Sequence, residues 1–242
     1  MKYFIRIALL SLVTIPLFIY LGFWQLGRAE EKKNILNNYN ILKKSVPVAI
    51  HSVNQITSLA NYQPVSLSGK FDNKRFYLLD NQIINGHTGY DVIMPFYLNS
   101  GDIVLINRGW VPQGITRTKL PVIDPITEQV NLQGKLYQPS NHFVLKEDIL
   151  TNSIWPQVIQ RLNLKQLYST LSSPNILNKV IVLSANSTYT FTHHLKPVNI
   201  LPEKHTAYAV QWFALACLVL MMAIVTGFYA YRHKHNPMLT SK

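Results

Sequence analysis

The sequence predicts a membrane protein in which two transmembrane α-helices flank one β-rich, barrel-like α+β domain outside the cytoplasm. Three observations predict it. Apolar runs stand near both ends, at 7–26 and 206–231, and each reaches the ~20 residues that a helix needs to cross hydrocarbon. Between them, apolar residues recur with a period of two, the signature of strands. The phrase Val-x-Leu-x-Gly-Lys occurs twice, at 65–70 and 130–135. A glycine inside a strand marks a bulge or a close backbone approach, as at the corners of a small barrel.

The boundaries that follow are a first span over 4–26, a domain over 27–204, a second span over 206–231 and a basic tail over 232–242. Net charge is +12, from 23 basic and 11 acidic residues. All 11 acids lie between residues 28 and 206 with 18 of the bases, so that segment carries 18 − 11 = +7. A mildly basic domain attracts anionic lipid, haem propionates or an acidic partner. Scattered bases between membrane anchors exclude nucleic acid. The single cysteine, Cys217, provides no paired thiols, so thiol redox chemistry and dithiol copper delivery lack their ligands.

In chain order, IALLSLVTIPLFIYLGFWQL (7–26) is longer than the apolar core of a cleaved signal peptide and ends on Phe23-Trp24-Gln25. It reads as an uncleaved span, in which Pro16 is tolerated. The helix continues out of the membrane through Leu26, Ala29, Lys33, Leu36 and Tyr39 until Pro47 stops it. Strands follow at 65–71, 75–81, 90–98, 102–111 and 130–136, with Asn85-Gly86 and Ser100-Gly101 as turns. A helix is expected from Pro156, with Val158, Ile159, Leu162, Leu167 and Leu171 as its apolar stripe. Segments 179–185 and 188–194 read as a final hairpin before the Pro197 and Pro202 linker.

Orientation rests on basic residues. Lys2 and Arg6 precede the first span, whereas Arg28, Lys32, Lys33, Lys43 and Lys44 follow it, against the positive-inside rule. That rule weakens before a long translocated domain. Arg232, Lys234 and Lys242 favour a cytoplasmic C-terminus. Two spans place both ends on one side, so both termini are expected in the cytoplasm.

The sharpest candidate is His205, at the mouth of the second span, with Tyr208 three and Trp212 seven residues further on. A neutral imidazole there can ligate haem iron, or it can simply hydrogen-bond headgroups. Trp24 and Trp212 read as an aromatic belt or as shields for a macrocycle. Arg28, four residues past Trp24, can meet a haem propionate or a lipid phosphate. Arg108-Gly109-Trp110 ends a strand where a bulge aims Trp110 at a partner or back into the core; Arg108 and Trp110 are candidate partner-binding residues. His193 and His194 are adjacent and point to opposite faces on a strand. His51, His87 and His142 have no acidic or cysteine neighbours at ligand spacing, and His233 and His235 read as a solvated anchor. No nucleophile elbow, His-Glu-x-x-His or phosphate loop is present, so no enzyme is expected.

Four stretches together resemble the Surfeit locus protein 1 family: LGFWQLGRAEEK (21–32), GYDVIMPFYL with GDIVLINRGWVP (89–112), VNLQGKL (130–136) and KHTAYAVQWFALA (204–216). The resemblance implies a bacterial-type assembly factor for haem–copper cytochrome c oxidase, acting as haem a enters the catalytic subunit. It implies His205 as ligand to the haem iron, carried over because Tyr208, Ala209 and Trp212 match around it. Thr206 departs from the leucine usual there. The implied partners are the haem-bearing oxidase subunit, haem a synthesis enzymes and the lipid bilayer of the bacterial inner membrane. A scaffold that steadies the oxidase subunit without ligating haem is the alternative.

Overall fold

The computed structural model describes residues 2–114, 116–117, 119–139, 150, 154–194 and 196–235. His142 and the tail beyond residue 235 lie outside them. The chain forms two compact units, Met1–Asn38 with Pro197–Lys242, and Tyr39–Lys196.

The first unit is built on two long helices, α1 (Lys2–Leu42) and α4 (Pro202–His235). Their most apolar 18-residue stretches have mean hydropathies of 2.1 and 2.3, and only 11% and 6% of those stretches are buried. Leu10, Leu12, Val13, Met221 and Ile224 are all more than 60% exposed. Side chains of this kind suit lipid surroundings, and both helices are long and apolar enough to cross a membrane. Hydroxyls inside the helices bond back to carbonyls one turn earlier, Ser11 to Ile7 and Thr14 to Leu10 on α1, and Thr226 to Met222 on α4. This removes the cost of a bare hydroxyl in hydrocarbon.

A narrow stripe on each helix is buried. On α4 it runs His205, Ala209 and Ala216 with half-buried Trp212 between; on α1 it runs Ser11, Gly22 and Ala29 with half-buried Phe18 and Gln25. Steps of three, four and seven give the 3.5-residue seam of a left-handed helix pair. Phe18 meets Trp212 at 5.6 Å between ring centroids, and Phe23 meets Phe213 at 5.4 Å. Small residues at Gly22, Ala209 and Ala216 allow the close approach.

The second unit is a barrel-like sheet with short helices. In chain order it contains β1 (Val48–Ile50), α2 (Asn54–Ser58), β2 (Pro64–Phe71), β3 (Tyr77–Ile84), β4 (His87–Leu98), β5 (Ile103–Pro112), β6 (Val130–Tyr137), β7 (Gln157–Ile159), α3 (Leu164–Thr170) and β8 (Val180–Leu183). The spatial order is β1-β2-β6-β8-β5-β4-β3-β7, and a further β2–β4 pairing closes the circuit β2-β6-β8-β5-β4. Gly69 is the corner. It faces Val130 of β6 in one register and Leu98 of β4 in the other. A Cβ on Gly69 would run into the Tyr97 carbonyl, and one on Gly134 into Val182. The repeated Val-x-Leu-x-Gly phrase therefore marks two places where neighbouring backbones crowd.

The β3–β4 hairpin turns on Asn85-Gly86, both at positive φ (51° and 81°), as a two-residue primed turn requires. On the inner face of the barrel, as the strand registers place them, lie Phe96, Ile106, Leu132 and Leu136. Helix α3 is fixed to this core by two phenols. Tyr77 donates to the Leu167 carbonyl at 2.9 Å, and the Tyr168 hydroxyl accepts from the Leu105 amide at 3.2 Å.

Two expectations are corrected. The helix expected from Pro156 begins only at Leu164, because Gln157–Ile159 pairs in parallel with Tyr77–Leu79 of β3. Val158 consequently faces outward, with Gln157 and Ile159 buried on either side; over three residues a period of two and a period of 3.6 look alike. The expected hairpin of 179–185 with 188–194 does not form. β8 instead inserts between β5 and β6, while Phe191 and Thr192 bond to the end of β5 at Arg108 and Trp110.

Candidate functional site

His205 stands in the first turns of α4, which Pro202 opens, and it is 8% exposed. Its Nδ1 lies 2.7 Å from Gln25 Oε1 on α1. With the amide oxygen as acceptor, Nδ1 carries the proton and Nε2 carries a lone pair. Among the described residues, that Nε2 is the buried side-chain nitrogen or oxygen without a hydrogen-bond partner. Leaving such an atom unpaired costs on the order of 1–3 kcal/mol.

A neutral imidazole held through Nδ1–H, with Nε2 as donor, is the form that binds iron or zinc. The residues present therefore fit a haem ligand in donor chemistry. They do not form an all-protein metal cage, since no group of three or more His, Cys, Asp or Glu converges among the described residues.

Of the other predicted residues, Trp212 shares the buried stripe with His205 and packs on Phe18. Tyr208 is 47% exposed and Trp24 50%, so both face away from the seam. Arg28 pairs with Glu31 three residues on. Gln25 was not singled out in the sequence, although a signal existed: an amide at the end of an apolar run needs a partner in hydrocarbon.

Arg108 and Trp110 are turned into the domain. One more residue on β5 than on β4 is accommodated between the Asp91–Trp110 and Ile93–Asn107 pairs, with Gly109 at φ 99°. The bulge carries the Arg108 guanidinium over the Phe191 ring (4.5 Å) and the Phe71 ring (5.4 Å), and its Nε donates to the Tyr189 carbonyl. Burial pushes that guanidinium down to about 10. Trp110 Nε1 donates to the Gln82 carbonyl at 3.0 Å.

A second polar cluster lies in the same domain. Buried Asp91 takes His194 Nε2 on one oxygen (2.6 Å) and the Asn107 amide on the other (2.9 Å). Lys179, 6% exposed, donates to the carbonyls of Ile56, Thr57 and Leu59 and so closes the end of α2. A cleft of about 810 Å³ opens beside β1, β2 and β6, lined by hydroxyl and amide side chains, His51 and the apolar Ala49, Ile50, Leu67 and Leu132. No donor set converges in it.

A sequence model of the SURF1 family matches residues 12–217. The chain belongs to the SURF1 family. The matched stretch includes both Gln25 and His205, from α1 to the first half of α4. A SURF1-like protein of Rickettsia prowazekii is 25% identical over 242 residues, covering 96% of this chain and 91% of the relative. One from Rickettsia felis is 26% identical over 231 residues, with 90% and 95% covered. Surfeit locus protein 1 of Gallus gallus is 26% identical over 161 residues, 59% of this chain and 52% of the relative. Similarity within the SURF1 family thus reaches from bacterial to animal proteins.

Proposed function

We propose that this SURF1-family protein is a non-catalytic assembly factor for haem–copper cytochrome c oxidase that holds haem a and assists its transfer into the catalytic subunit. The observation that carries the reading is His205: its Nδ1 is engaged by Gln25 while Nε2 is buried and unpartnered. When bound, haem a would supply an iron that an imidazole nitrogen can ligate. His205 would offer Nε2 to it, with Gln25 holding the ring. Trp212, half-buried two helical turns further on, keeps the neighbourhood apolar. Tyr208 and Trp24 present exposed aromatic surface that can cover a macrocycle. Arg28, paired with Glu31, would be the residue to meet a propionate.

In this reading the partners are the haem-bearing oxidase subunit and the enzymes that make haem a. The protein sits in the bacterial inner membrane with both termini in the cytoplasm, as the basic residues after the second span favour. The β domain then faces the periplasm. The test is the visible spectrum of protein purified from cells making haem a, beside His205→Ala. A stoichiometric haem a signal that disappears in the variant, with the β domain still folded, is the expected result. Wild type that carries no haem a while restoring haem occupancy in the oxidase would transfer the role to a scaffold.

A further inference from the structure

A neutral histidine can carry its single proton on either ring nitrogen, and in water the Nε2 position is favoured. His205 departs from that preference. Its Nδ1 faces an amide oxygen at 2.7 Å, whereas its Nε2 is buried with no partner. The proton is therefore drawn to Nδ1, where it forms a hydrogen bond, and the lone pair remains on Nε2. We propose that Gln25 is the positioning residue of His205, setting its tautomer so that Nε2 is the donor atom offered to a haem iron.

The two side chains come from different helices, so the arrangement exists only while α1 and α4 are paired. Gln25 follows Gly22 and precedes Ala29 on the stripe of α1 that faces the seam, where a longer neighbour would separate the helices. An amide has a further property that a carboxylate lacks. It accepts the Nδ1 proton without adding charge, so it polarises the ring less and leaves His205 a weaker, more exchangeable ligand than Asp or Glu would. That suits a protein that must release what it binds.

The inference rests on the proposed haem-holding role, but its first readout needs no haem. Full-length protein with ¹⁵N-labelled imidazoles is examined in lipid nanodiscs, and the His205 signals are identified as those missing from His205→Asn. Wild type and Gln25→Glu are expected to carry the proton on Nδ1, and Gln25→Leu to shift it to Nε2. In a second step haem a is titrated into each protein. Gln25→Leu is expected to bind about tenfold to hundredfold more weakly. Gln25→Glu is expected to retain binding with a lower midpoint potential, because a carboxylate makes the imidazole a stronger electron donor.

A wild-type proton on Nε2 overturns the proposal, and so does a tautomer that ignores Gln25→Leu. A shifted tautomer with unchanged affinity also overturns it, since Gln25 would then set a feature that binding does not use. Wild type that shows the Nδ1 proton but takes up no haem a sinks the carrier reading instead, leaving the tautomer assignment standing. Gln25→Glu guards against misfolding as a cause, because it keeps both the acceptor and the side-chain length.

Discussion

His194 Nε2 and Asp91 Oδ1 lie 2.6 Å apart, an ion pair inside a domain whose neighbouring histidine behaves in the opposite way. The hydrogen bond to Asp91 raises the His194 pKa above its ordinary 6.5, against burial and nearby Lys196. Burial lowers that of His193, helped by Lys135 and His194. A histidine with a raised pKa binds its proton more tightly in the folded state. Its contribution to stability is complete below about pH 6.5 and is lost as pH rises through the raised value. A lowered histidine has the reverse effect, costing stability as pH falls below about 6.5. Chemical unfolding between about pH 5.5 and 8.5 should therefore show His194→Gln most destabilised, relative to wild type, at the acid end. His193→Gln should gain on wild type as the solution is acidified.

Arg108 should be intolerant even of lysine. Its planar group rests on Phe191 and Phe71 while its Nε serves Tyr189, and an ammonium matches neither the stacking nor the fork. Desolvated cation–π contact is worth about 2 kcal/mol. Arg108→Lys is expected to lose about that much in denaturant unfolding, and Arg108→Ala more. A variant of wild-type stability would show that the stacking is idle.

Gly22 makes room for the Phe213 ring of the other membrane helix, since a Cβ on Gly22 would overlap that ring. The ring is the movable end of a side chain, so Gly22→Ala should be accommodated. Gly22→Leu cannot be, and should destabilise the helix pair by about 1–3 kcal/mol. Thermal unfolding in detergent measures the first effect. The second is a change in the His205 imidazole signal, because Gln25 sits one turn along the same face.

Gly69 tests the barrel corner. Gly69→Val places a side chain against the Tyr97 carbonyl, which is backbone and cannot swing aside. A loss of about 3 kcal/mol, at the upper end for overpacking, is expected in unfolding of the domain. Gly86→Ala serves as the comparison, because space there is open and only the positive φ is strained.

The helices and most of the sheet were legible because their signals are long. Uncharged runs, period-two alternation at 65–71 and 130–136, and Asn85-Gly86 each have one cheap solution. Gln157–Ile159 was not legible, since a three-residue strand is defined by the β3 edge it joins. The pairing of β8 was also hidden. Val180–Leu183 is buried throughout, so nothing in the segment says which two strands flank it. For the site, His205 was visible as a residue type in an unusual place. Its partner was not, because Gln25 lies 180 positions away and becomes meaningful only when α1 and α4 pair.

The parallel contact of β5 with β8 joins Ile106 to Ile181, and β8 is also the strand that β6 needs. Ribosomes deliver chain from one end only. During synthesis β2, β4, β5 and β6 must therefore wait, unclosed, for a strand that emerges roughly 45 residues after β6. Non-local pairing of this kind folds slowly. Among the strands exposed meanwhile, β4 and β5 are buried along most of their length in the finished domain, and an open sheet edge invites wrong partners. A nascent chain stalled before Val180 should be sensitive to protease across β2–β6, and one released past Leu183 resistant. The most vulnerable moment in this protein's life falls just before its second membrane helix is made.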